Sequence, residues 1–234
     1  MKKAFTLTEV LITLGIISIV AVMTIPMLIS NIQDQLFKVM YKKDVAMISE
    51  AMKLLYANDG ITIQATFESV PQYVCRLKNY LKVKDVVFDC ARIENYADDP
   101  NNNFDNWIVK SYELLWHDGG KWSTKDGLSI MRVITYDYST LHLSNGAMIM
   151  FPCTTRLYID VNGYDKPNVV GRDIFALPIE SGATAPTTKI GNTINPQSCF
   201  GDRSTVTTLT PTNYKEDCEH GHGWGCSFLY LNDK

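Results

Sequence analysis

The sequence predicts an α+β protein: a long N-terminal helix, apolar all round in its first half, with an antiparallel β-sheet head laid on its second half. Three observations predict it. From Val10 to Gln33 there are 24 consecutive positions without Asp, Glu, Lys or Arg, and the periodicity that follows is helical and amphipathic. Beyond residue 61, short apolar runs are separated by turn residues, most clearly around Asn145-Gly146. All six cysteines fall in that later part and none in the helix. The averages of the 234-residue chain conceal this division: 46% hydrophobic residues, 20% charged residues and a net charge of -3 describe a globular chain and exclude disordered, collagen-like and low-complexity classes. Near-neutral charge also argues against a dedicated nucleic-acid binder, which needs a basic surplus to displace counterions from phosphates.

The first element is the apolar helix. Val10 to Ile29 holds fifteen hydrophobic residues in twenty, and at about 1.5 Å per residue such a helix crosses the roughly 30 Å hydrocarbon core of a bilayer. Three readings fit: a cleaved secretory signal, a plain anchor, or a specialised membrane segment. Lys2-Lys3 suits a signal, but Ala21 to Met27 offers no good small-x-small cleavage site. A plain anchor leaves Glu9 unexplained, an ionisable residue at the edge of the apolar run where charge is costly.

Met1-Lys2-Lys3-Ala4, then Phe5-Thr6-Leu7-Thr8-Glu9-Val10-Leu11-Ile12, with Ile25-Pro26 further on, resembles the prepilin N-terminus of type IV pilins and type II secretion pseudopilins. The resemblance covers about a ninth of the chain. It implies a leader of residues 1–4 cut between Ala4 and Phe5 by a prepilin peptidase that also methylates the new amino terminus of Phe5. Ala4 stands where the family usually has glycine. It implies a transmembrane and assembly helix over 5–30, an amphipathic stem over 31–60 and an extracytoplasmic head over 61–234. It also implies a single pass through the inner membrane, with a cytoplasmic N-terminus, a periplasmic or extracellular head, and a filament after assembly. The implied partners are other copies of the chain, other pilins or pseudopilins and the inner-membrane assembly platform. The implied role is structural, not enzymatic: a subunit of a type IV pilus or a secretion pseudopilus. The alternative is a minor pilin whose head binds a secreted substrate, DNA or a surface.

In this family the carboxylate at the Glu9 position pairs with the terminal amine of a neighbouring subunit, and the physics agrees, because a lone buried ammonium is costly unless paired. Thr6, Thr8 and Thr13 supply hydroxyls to the helix or its neighbours. Pro26 lacks an amide donor and is expected to kink or locally melt the helix.

Along the stem, Phe37, Met40, Tyr41, Asp44, Ile48, Ala51, Met52 and Leu55 form one stripe, in which only Asp44 is charged, and Gly60 reads as a left-handed stop. The head, net -4 from 16 bases and 20 acids, opens with a short helix from Ser69-Val70-Pro71 to Tyr80. Residues 98–126 read as loops around a short element near Trp107 to Trp116. Thr140 to Leu143 and Met148 to Phe151 make a hairpin; Leu157 to Val161 and Asp173 to Leu177 are further strands. From Ser181 to Pro211 the composition predicts an irregular surface excursion.

An even set of cysteines, Cys75, Cys90, Cys153, Cys199, Cys218 and Cys226, points to disulfides and so to an oxidising compartment. Fifteen pairings are open; Cys75 with Cys90 and Cys218 with Cys226 are the local ones, the first closing about fifteen residues for around 3 kcal/mol. Cys218 to Cys226 also holds His220 and His222, a metal-like set, but the spacing fits no zinc finger and a disulfide-closed surface loop is expected. Asp160, Asn162, Asp165, Asn168 and Asp173 gather oxygen ligands of the kind calcium takes, and some major pseudopilins hold calcium in a late head loop; no other cofactor is expected. Against calcium, Gly171 stands where a helix-loop-helix site has a bidentate Glu, and the same residues serve as turn formers between strands. No nucleophile elbow or phosphate loop is present, and His117 and His142 stand alone in sequence.

Overall fold

The structure is a computed structural model that describes residues 6–63, 70–86, 90, 122–130, 139–191, 193–194 and 208–233. The chain divides into two compact units, Met1–Leu36 and Phe37–Lys234. Helix α1 runs from Leu7 to Asp59. In the first unit its large apolar side chains are exposed from Leu7 to Leu36, and the helix is long and apolar enough to cross a membrane. Apolar residues all round a helix with no protein cover are what lipid, not a core, accommodates. The hydroxyls of Thr13, Ser18 and Thr24 fold back onto the carbonyls of Val10, Leu14 and Val20, so no polar group is left facing hydrocarbon at these positions. Helix α1 passes through Pro26 without interruption. A proline forfeits one backbone donor, and the surrounding turns keep theirs.

Within the second unit, the stripe Phe37, Tyr41, Asp44, Val45, Ile48, Ala51, Met52 and Leu55 is buried. Gly60 ends α1 at φ 69°, where its N–H donates to the Tyr56 carbonyl at 2.9 Å, the left-handed cap that a Cβ would penalise. Helix α2, Val70–Leu77, continues as a single 3-10 turn over Lys78–Tyr80.

The sheet has five strands in the order β1-β4-β5-β6-β7, all neighbours antiparallel: β1 Val83–Val86, β4 Ser139–Leu143, β5 Met148–Cys153, β6 Arg156–Asp160 and β7 Ile174–Pro178. A separate two-stranded ribbon pairs β2, Trp122–Ser123, with β3, Ser129–Ile130. The β4–β5 hairpin turns at Asn145-Gly146, with Gly146 at φ 94°. Strand alternation puts Ile149, Phe151, Ile159 and Phe175 on the face that meets α1 and α2: Tyr41 stacks on Phe175 at 3.9 Å between centroids, and Tyr73 meets Phe151 edge-on at 5.9 Å. Tyr158, on the opposite face, packs against Trp122 and Trp224.

Strand β7 is an edge, yet all five of its residues are buried. Two C-terminal helices, α3 Tyr214–His220 and α4 Cys226–Asn232, account for this, since Ser227 Oγ accepts the Ala176 N–H at 2.9 Å and closes part of the edge that would otherwise invite another strand. Neither helix is foreshadowed by the sequence, and neither are β1 and the β2–β3 ribbon. The excursion after Ser181 has no regular element among its described residues, only an isolated bridge between Ile194 and Leu209. The element expected near Trp107 to Trp116 lies outside the described residues, as do Cys199, Ala4 and Phe5.

Candidate functional site

Two places could carry function: the start of α1 and the polar loop between β6 and β7. At the first, Thr6 and Glu9 form a reciprocal cap. The Thr6 N–H donates to Glu9 Oε2 at 2.9 Å, the Glu9 N–H donates to Thr6 Oγ1 at 3.2 Å, and the Thr6 hydroxyl donates to the same carboxylate at 2.8 Å. Free N–H groups at a helix start are otherwise unsatisfied, and Thr-x-x-Glu is the sequence pattern that pairs two of them. The pattern at 6–9 could have announced this role of Glu9. Since Phe5 precedes Thr6, cleavage before Phe5 would put the new amine one residue from this cap, with a carboxylate already oriented by Thr6.

At the second place, Asp160 closes β6 and is fully buried. Its Oδ1 accepts N–H groups from Gly163 at 2.9 Å and Asn162 at 3.3 Å, while its Oδ2 is buried without a hydrogen-bond partner. Asn162 donates its amide to the carbonyls of Asp165 and Lys166, which fixes the amide's orientation and leaves its buried Oδ1 without a partner. Asp173, also fully buried, accepts N–H groups from Asn168 and Val169, both at 2.7 Å. Burial, and then the neighbouring Asp173 charge, push the Asp160 carboxyl well above its ordinary range; burial likewise raises Asp173. Asp165 is exposed, and Asn168 adopts φ 59° in the turn. The structure thus gathers Asp160, Asn162 and Asp173, uses Asn168 through its backbone, and leaves the Asp165 side chain at the surface.

The cysteine segment differs from the surface loop expected of it. Cys218 is bonded to Cys226, but both are buried and so is Trp224 between them. Asp217 organises the turn: its carboxylate accepts N–H groups from Gly225 at 2.7 Å and His222 at 3.2 Å, and its carbonyl accepts those of Gly221 and Gly223. A Cβ on Gly171 would lie 2.5 Å from the Gly223 carbonyl oxygen, so the turn is pressed against the β6–β7 loop rather than exposed. His222 meets Asp126 at 2.9 Å, and Asp126 is held below the usual carboxylate range by the Thr124 hydroxyl first and by His222 next. With both thiols in a disulfide, the segment has no thiolate to offer a metal, and no cluster of three or more His, Cys, Asp or Glu suited to one occurs among the described residues. Cys75 is bonded to Cys90, and Cys153 is disulfide-bonded as well.

The start of α1 is where comparison with known proteins speaks. Residues 1–25 match the family model described as the prokaryotic N-terminal methylation motif. The chain therefore carries the prepilin-type cleavage and methylation signal of type IV pilins and pseudopilins, joined to a membrane-capable apolar helix and an α+β head of pilin-like architecture. No curated protein and no solved structure matches the chain significantly.

Proposed function

We propose that the chain is a structural subunit of a type IV pilus or a type II secretion pseudopilus. It is inserted in the inner membrane, cut between Ala4 and Phe5, methylated at Phe5 and polymerised through α1 by way of the assembly platform. The observation that carries this reading is the methylation motif of residues 1–25 on a helix whose large apolar side chains are exposed from Leu7 to Leu36. Such a surface needs lipid before assembly and other helices after it. Intact mass and N-terminal sequencing of the membrane-extracted protein are expected to show a start at N-methylated Phe5 and the loss of the hydrogens of six thiols. A start at Met1 would overturn the reading.

The β6–β7 loop supports a calcium site as a second, separable proposal, resting on the two buried, unpartnered oxygens Asp160 Oδ2 and Asn162 Oδ1. Hard oxygen donors suit calcium, and a divalent ion would neutralise two buried carboxylates at once. Calcium at about a hundred times its dissociation constant is expected to stabilise the full chain in detergent by about 2.7 kcal/mol, raising its melting temperature by several degrees. Asp160→Asn should abolish that response. A wild-type melting temperature that ignores calcium and chelator alike removes the site.

A further inference from the structure

Asp44 is the one charge in the buried stripe of α1, and it sits there fully buried. Its Oδ1 accepts the Asn145 side-chain amide at 2.8 Å, and its Oδ2 is buried without a hydrogen-bond partner. Asn145 stands at the tip of the β4–β5 hairpin. Its own Oδ1 accepts the Ala147 N–H at 3.2 Å, so its amide nitrogen must face Asp44. Asn145 is exposed while Asp44 behind it is buried, so lifting the hairpin tip would uncover Asp44 to water. An ionised carboxylate with one dry, undonated oxygen is costly. A proton on Oδ2 removes the charge and leaves Oδ1 to accept from Asn145, so the bond between helix and hairpin survives protonation.

We propose that Asp44 and Asn145 form a proton-operated latch between the second half of α1 and the β4–β5 hairpin, closed when Asp44 is neutral and slackened when it ionises. The charged and titratable groups on the elements that meet there leave the latch largely to itself. Lys43, next in the helix, is exposed and only partly offsets the cost; Lys82, beside the hairpin, engages Ser144 through its backbone carbonyl; His142, on β4, pairs with Tyr164. Burial pushes the Asp44 carboxyl up to about 6, against the opposing pull first of the Asn145 hydrogen bond and then of Lys43. Between pH 3.8 and about 6 the folded chain thus holds a proton that the unfolded chain has released. The stability this group contributes is complete below the unfolded value and is lost as pH rises through about 6.

Amide hydrogen exchange of the full chain in detergent micelles tests the latch, corrected for the intrinsic pH dependence of exchange. Protection at Leu143, Gly146 and Ala147 is expected to fall roughly tenfold between pH 5 and pH 8 in the unmodified chain, and to stay level in Asp44→Asn, whose side chain is neutral at both. Unchanged protection in the unmodified chain, or the same fall in Asp44→Asn, would overturn the proposal. Should Asp44→Asn fail to fold, the carboxyl carbon of Asp44 and the Gly146 and Ala147 amides are titrated together in the unmodified chain by NMR: a shared midpoint near 6 sustains the latch, and a carboxyl midpoint near 4, or hairpin amides that do not follow the carboxyl, removes it. None of these readouts depends on filament assembly, so the latch and the filament reading fail separately.

Discussion

Replacing Glu9 by glutamine is expected to abolish filaments while leaving the helix start intact, and Glu9→Ala is expected to abolish them too. The two substitutions separate the capping role that the structure shows for Glu9 from the charge-pairing role proposed for it. As a cap, Glu9 bonds the Thr6 N–H and hydroxyl. Glutamine serves in the same reciprocal arrangement, and losing a cap costs only about 0.5–2 kcal/mol. As a charge, Glu9 is the partner we propose for the terminal amine that processing before Phe5 would create. An unpaired ammonium in an apolar setting costs several kcal/mol, which glutamine does not offset. The cap contributes less than the charge, so the charge should decide assembly. Electron microscopy of sheared filaments, with immunoblots of the membrane fraction to show that each variant is made and processed, gives the readout. Filaments from Glu9→Gln at wild-type abundance would show that capping alone suffices and that the amine pairing is wrong.

What could be read ahead of the structure follows from how far each signal reaches along the chain. The long helix was legible because its pattern repeats over fifty residues, and the β4–β5 hairpin because Asn145-Gly146 is a local turn signal between two apolar runs. Strand β1 was not, because Lys84 and Asp85 are exposed charges in a four-residue edge strand, and only its partner β4 makes it one. Helices α3 and α4 are seven residues each and flank Gly221, Gly223 and Gly225, so by composition the segment reads as loop. Its burial comes from Asp217, whose carboxylate is committed to amides five and eight residues on, a contact that no periodicity announces. The β6–β7 carboxylates were visible as a group of oxygen donors. That Asp160 and Asn162 keep an unpartnered oxygen while Asp173 spends both on the backbone is a property of the turn's geometry and of nothing shorter.

Tyr41→Ala is expected to detach the head's sheet from α1 and to lower the melting temperature of the full chain in detergent by on the order of 10 °C. Tyr41 is fully buried, stacks on Phe175 at 3.9 Å and donates its hydroxyl to the Ser227 carbonyl at 2.9 Å. Burial holds that hydroxyl's pKa well above the ordinary tyrosine value, so the bond persists across the accessible pH range. One side chain thus ties helix α1, strand β7 and helix α4 together. Removing a buried aromatic ring costs about 3–5 kcal/mol, a large share of the roughly 5–15 kcal/mol that holds an average domain together. Tyr41→Phe keeps the ring and loses only the hydroxyl's bond to the Ser227 carbonyl, so its expected cost is only about 0.5–1.5 kcal/mol. A stability order of Ala below Phe below wild type would show that the ring's packing holds the head more strongly than its hydroxyl does. If Tyr41→Phe were as damaging as Tyr41→Ala, the hydrogen bond to Ser227 and not the Phe175 stack would be what fastens the head to its helix.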